Sequence, residues 1–345
     1  MVYKLLVTTG CGNTIQGGSD IWTNYFLDLV WPTLPNKKEW RLLIDSKRPI
    51  TFEEKSLPKG IQYHFHYDDV DKTTKWLEES EVIHVLHPHY HKRPHIWHYE
   101  DKFGTVFVHA YAREMTEILG KNSELSRLQF GTNVDVEFYD EYLATFKRRI
   151  WVGNNTTTMI DEFPNYTYNI PNFYEFKNNI PLTTHIDNGK IGFASRAESR
   201  KCLHWLNDHK AYVLTNQFDV KNLRDTTTYS LNGIELFQWD PSIHHFFMLK
   251  NWGIFHGAYF KEPFGYSIFQ AVDYGKLPII NKDWVPELDY KYRVSNKNEF
   301  DECVKTILRD SYNERESHWL NLKEYMKKFD NKDEWIDKVR TTILS

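Results

Sequence analysis

Two cations and one carboxylate, each just past an apolar run, offer the most chemistry in this chain. SRAESRK, residues 195–201, follows the run that opens KIGFASR (190–196) and carries Arg196 and Lys201. Two cations at a strand end would neutralise a multiply charged anion such as a diphosphate. The same cluster also reads as the solvated, charged start of a helix. Further on, HGAYFKEPFGYSIFQAVDYGKLPII (256–280) sets Glu262-Pro263-Phe264-Gly265 at a helix start and returns through Gly275 and Pro278 to another strand. Near the N-terminus, Gly10, Gly12, Gly17 and Gly18 precede a helix whose N–H groups and dipole would receive an anionic group. Their spacing is not GxGxxG, so a plain strand-to-helix turn explains them equally well.

The elements that must hold these residues repeat one theme. Tyr3 to Thr8 reads as a buried strand, followed by the glycine loop and a helix capped by Ser19 or Asp20 that runs through Trp22, Phe26 and Leu29. Apolar runs recur at 41–45, 61–67, 81–87, 104–110 and 149–155, then at 190–196, 211–216, 234–239, 252–257 and 277–282, with helical or loop stretches between them. Such alternation predicts mostly parallel sheets covered by helices. YNIPNFYEF has the punctuation of a connector, and the stretch from about 299 is helical in pattern, with Phe300, Val304, Ile307 and Leu308 on one face.

At 345 residues the chain exceeds one ordinary α/β core, so two domains are expected: 1–168, and 169–325, with 326–345 a C-terminal helix returning to the first domain. Two facing sheets would direct their strand ends into a shared cleft. A formal net charge of -4 excludes a global positive field for a polyanion or membrane. Three cysteines, Cys11, Cys202 and Cys303, without ligand spacing fit a reducing compartment, and with no apolar run of membrane-spanning length a cytoplasmic location is expected.

The 256–280 segment resembles the donor-binding signature of retaining GT-B glycosyltransferases, E-P-F-G followed by a second glutamate and a small-residue-Gly-x-Pro-x-Ile turn. Other positions follow in order. IPNF (170–173) is similar to the I-P-N-G that enters the second domain of that family, and SRAESRK to its G-R-x-x-x-x-K element. FVHA (107–110) resembles the strand end whose histidine touches the donor sugar, and Gly17-Gly18 the loop that approaches donor phosphate and acceptor. The resemblance spans about 10–280. It implies an α/β GT-B fold of two Rossmann-like domains and Arg196 and Lys201 on the diphosphate. It implies that Glu262 and His109 meet the sugar, and that Gly17, Gly18, Pro263, Phe264, Gly265 and Gln270 complete the donor site. Gln270 stands where the pattern has its second glutamate, Ser195 replaces the glycine before Arg196, and Cys202 replaces the glycine after Lys201.

Sugar transfer builds positive charge on the sugar and negative charge on the leaving diphosphate. Arg196 and Lys201 would take the latter without a metal. In the retaining members the leaving phosphate is thought to accept the acceptor proton, so no protein base is assigned. No cofactor is expected beyond a nucleotide-sugar donor, UDP-sugar first among them. Histidines 84, 87, 89, 91, 95 and 98 crowd into one run and invite a metal reading, but no cysteine or second ligand cluster accompanies them. An acceptor-side loop is expected instead, with Lys92, Arg93 and Trp97 offering charge and a stacking face. Asp20 is a candidate for acceptor contact or a helix cap. The first helix, SDIWTNYFLDLVW, has no Lys or Arg, which argues against a lipid acceptor. By analogy with phage DNA-modifying transferases, duplex DNA carrying a 5-hydroxymethylated pyrimidine is the first acceptor, contacted through Lys92-Arg93 and Lys147-Arg148-Arg149. A surface-polymer saccharide, and a non-catalytic module that only binds the sugar nucleotide, are the alternatives. No protein partner is expected.

Overall fold

The computed structural model describes residues 3–13, 18–50, 52–86, 94–108, 150–153, 168–184, 186, 189–195, 201–215, 233–238, 241–250, 252–259 and 264–345. They form two compact units, one from the described residues of 1–173 and 331–345, the other from those of 174–330.

The first unit is a parallel sheet in the order β3-β2-β1-β4-β5-β6-β7. Its strands are β1 (Tyr3–Thr8), β2 (Trp40–Ile44), β3 (Gln62–Phe65), β4 (Ser80–Val85), β5 (Phe103–Val108), β6 (Ile150–Gly153) and β7 (Tyr168–Asn169). β2 is buried at every position, as a strand covered on both faces requires. Among the described residues, helices α1 (Gly18–Tyr25), α2 (Val70–Glu79) and α3 (Pro94–Trp97) accompany it. α1 starts at Gly18, so Ser19 and Asp20 lie within its first turn rather than ahead of it. It continues as a π-helical turn over Phe26–Val30.

The second unit is a parallel sheet in the order β10-β9-β8-β11-β12-β13. It comprises β8 (Ile191–Ala194), β9 (Ala211–Thr215), β10 (Ile234–Gln238), β11 (Ile254–Gly257), β12 (Leu277–Asn281) and β13 (Arg293–Val294). Its helices are α4 (Pro241–Leu249), α5 (Tyr266–Asp273), α6 (Lys297–Arg309) and α7 (Tyr312–Lys327). In α6, Phe300, Val304 and Ile307 are buried. Leu308, expected on the same face, is half-exposed because that narrow stripe leaves it at the rim.

The last helix, α8 (Lys332–Leu344), belongs to the first unit. It starts later than residue 326 because α7 runs through Lys327 and Asn331 caps the new helix, its side chain accepting from Glu334 N–H. Trp335, Val339 and Ile343 join Trp22, Phe26, Phe107 and Phe173 in one buried cluster. The Trp22 ring lies 4.6 Å from Phe107 and 5.9 Å edge-on from Trp335. Burying a side chain of this kind contributes about 1.5–3 kcal/mol. Among the described residues no helix is long and apolar enough to cross a membrane.

α5 ends in a Schellman turn, in which Gly275 N–H donates to Val272 O at 3.0 Å and Lys276 N–H to Ala271 O at 2.8 Å. Gly275 has φ 69°, and an added Cβ would collide with the Pro181 carbonyl. Gly275→Ala is therefore expected to cost the second unit about 2 kcal/mol or more, read as a lowered urea midpoint.

Candidate functional site

In an open parallel sheet, ligands bind beyond the carboxyl ends of the strands, where the strand order reverses. In the second sheet, β8, β9 and β10 progress one way and β11, β12 and β13 the other, so the reversal falls between β8 and β11. Arg196 and Lys201 follow β8 in the chain, and Glu262, Pro263, Phe264 and Gly265 follow β11. Arg196, Glu262 and Pro263 lie outside the described residues.

Lys201 is buried, and its Nζ sits 4.1 Å from the centre of the Tyr259 ring. Tyr259, fully buried two residues beyond β11, thus ties the two strand ends together. A desolvated ammonium over an aromatic face gains about 2 kcal/mol and keeps its charge in place. The next residue, Cys202, has φ 54° and starts a short 3-10 turn over Leu203–Leu206. This left-handed backbone explains why glycine would be at home at the position and why a side chain there carries strain. The strained peptide is pinned by His256, whose Nε2 donates to Cys202 O at 3.0 Å. His256 is fully buried and flanked by Trp205, Phe300 and Tyr259. Burial, with smaller contributions from His204, His209 and Lys201, pushes its pKa down to about 3, so the imidazole is neutral and serves as a fixed donor.

Across the reversal, Phe264 is buried and stacks on Phe269 at 4.4 Å. Gly265, φ 82°, turns the chain into α5, and its carbonyl accepts from Ile268 and Phe269 N–H. Within α5 only Ser267 and Gln270 are half-open, three residues apart and so on one face. Gln270 is thus on the solvent-facing side of that helix.

In the first sheet the reversal falls between β1 and β4. The glycine loop after β1 is clamped to α1, since Gly12 N–H donates to Asn24 Oδ1 at 2.6 Å and Asn24 Nδ2 to Gly12 O at 2.9 Å. Gly18 begins α1, while Gly17 lies outside the described residues. His109 follows the last residue of β5 and is also outside them, as are Lys92 and Arg93. Trp97 closes α3 and Asp20 falls in the first turn of α1.

Of the expected set, the described structure groups Lys201, Phe264, Gly265 and Gln270 in the second unit. Sequence reasoning missed Tyr259 and His256. Their signal was present only as ring residues within the run WGIFHGAYF.

Two doubly wound parallel sheets in one chain, each with a strand-order reversal at its ligand end, make a mixed α/β protein with the GT-B fold. Its structural counterparts are glycosyltransferases. WaaG, a glycosyltransferase involved in lipopolysaccharide biosynthesis, superposes with a TM-score of 0.63 over 99% of each chain at 10% identity. Sucrose-phosphate synthase from Thermosynechococcus elongatus gives 0.62 at 11% identity over 98% of this chain and 97% of its own. T4 phage BGT in complex with UDP and Mn2+ gives 0.52 at 11% identity over 99% of each. No protein-family model matches the chain, and no curated protein matches it in sequence.

Proposed function

We propose that this chain is a glycosyltransferase that moves a sugar from a nucleoside-diphosphate sugar, UDP-sugar in the first instance, to an acceptor hydroxyl. The observation that carries the reading is the buried ammonium of Lys201, held over Tyr259 where the strand order reverses in the second sheet. That is where a parallel sheet presents an anionic ligand. Arg196, five residues ahead in the chain, would share the diphosphate charge. Glu262 and His109 would orient the sugar hydroxyls. In the transfer, the bond from the anomeric carbon to the diphosphate oxygen breaks and a bond to the acceptor oxygen forms. The acceptor proton passes to the leaving phosphate, with retention at the anomeric carbon. The likeness to WaaG, sucrose-phosphate synthase and BGT supports nucleotide-sugar chemistry, and the bound UDP in BGT supports uridine.

The acceptor we infer is a 5-hydroxymethylated pyrimidine in phage DNA, met in the host cytoplasm, with Lys92, Arg93, Trp97 and Asp20 on the acceptor side. The test is a panel of UDP-, GDP- and ADP-sugars with and without 5-hydroxymethylcytosine duplex, following diphosphate release and the mass of the digested nucleosides. A sugar-sized mass gain on the modified base, lost in Arg196→Ala, is the expected result. Diphosphate release indifferent to DNA would redirect the acceptor to a saccharide, and no release with any donor would leave a binding module. UDP affinity is expected to be the same with and without EDTA, because protein cations neutralise the diphosphate.

A further inference from the structure

Within the first unit, three donor side chains from three separate elements meet at the same end of the sheet as the glycine loop. Asp45 directly follows β2, His66 directly follows β3, and His95 lies in α3. Each offers one ligand atom, and these atoms lie within 4.8 Å of one another. The His66 and His95 rings stack in parallel, 4.0 Å apart at 9°. His95 Nε2 is 3.5 Å from Asp45 Oδ1. Asp45 is 1% exposed and its backbone N–H is fixed on Thr8 O at 2.8 Å, while the His95 side chain is 30% exposed. The cluster is therefore rigid at its base and open to solvent on one side.

We propose that Asp45, His66 and His95 bind a divalent transition-metal ion. Two imidazoles and a carboxylate form the donor set preferred by zinc and its neighbours, and hard magnesium, which selects oxygen, is disfavoured. Ligand bonds of about 2.0–2.2 Å require the donor atoms to close by roughly an ångström, which side-chain rotation supplies. Two neutral imidazoles and one carboxylate leave a divalent ion with a net positive charge and open positions. An oxygen ligand would complete the shell at those positions. The inference stands apart from the proposed transferase reaction. It also differs from the sequence expectation of no metal: one histidine of the crowded run takes part, and its partners come from 45 and 66.

The test uses the full chain stripped with chelator and titrated with ZnCl2 or CoCl2 alone, by calorimetry and by the visible absorption of Co2+. One equivalent should bind with a dissociation constant of about a micromolar or tighter, roughly -8 kcal/mol. Affinity should fall at least tenfold in His95→Ala, whose half-open side chain can be removed without emptying the core. A triple variant His87→Ala, His89→Ala, His91→Ala should bind as the parent does. Absence of saturable binding to the parent chain overturns the proposal. So does binding that survives His95→Ala or disappears in the triple variant.

Discussion

Lowering the pH from 6.5 to 5 is expected to remove about 2 kcal/mol of stability from the first unit and more than that from the second, with thermal midpoints several degrees lower. His84 in the first unit and His256 in the second are the cause. Burial holds each at about 3 against an ordinary value of 6.5, and brings His244, also in the second unit, down to about 4, which adds to the loss there. His84 accepts the Thr105 N–H at its Nδ1, 3.2 Å away, a bond that only the neutral ring can make. Because the folded pKa lies below the unfolded one, the unfolded chain binds more protons between pH 6.5 and 3. The stability is fully present above 6.5 and drains away as the pH falls towards 3, at about 1.4 kcal/mol per pH unit per histidine. Carboxylates held low by ion pairs, such as Asp301 and Asp310, add to the loss further down. Urea titrations across pH 5–7.5, with hydrogen exchange to separate the units, would show the two slopes. His84→Phe should flatten only the first, and His256→Phe should reduce only the second, where His244 keeps the remaining slope. A pH-independent midpoint over this window would show that neither ring is buried neutral.

The largest effect on activity is expected from Lys201→Met. The substitution keeps the apolar stem against Tyr259 and removes the charge. Loss of a preorganised cation aimed at a leaving diphosphate costs about 3–4 kcal/mol of transition-state stabilisation, read as a roughly 100- to 1,000-fold drop in kcat/KM. UDP affinity should weaken as well. The thermal midpoint should hold or rise, since a buried ammonium is replaced by an apolar group of similar length. Turnover and UDP affinity equal to the parent would remove Lys201 from the donor site and with it the principal support for the proposed reaction.

Most of the strands were legible because buried parallel strands are near-continuous apolar runs, and Leu5–Val7, Leu42–Ile44 and Leu277–Ile280 stand out from their polar surroundings. β7 and β13, two residues each, have no such run and exist only through pairing with β6 and β12. The π-helical turn at Phe26–Val30 carries the same apolar spacing as an α-helix and leaves no separate mark. At the site, the place of Lys201 in the segment after β8 could be read from its motif. The role of His256 was not, because it depends on the left-handed backbone at Cys202. Asp45, His66 and His95 were illegible as a group for a topological reason: only the ordering of β3, β2, β1 and β4 brings those stretches to one sheet end.

The packing of α8 sets an order of assembly. The aromatic cluster that begins at Trp22 and Phe26 stays open until Trp335, Val339 and Ile343 have been synthesised. On the ribosome, the unit translated first is therefore the one that matures last, after the intervening unit has had time to fold. During that interval the nascent chain exposes an unfinished aromatic surface. A stop codon in place of Asn331 would leave the second unit complete and the first a target for chaperones and proteases.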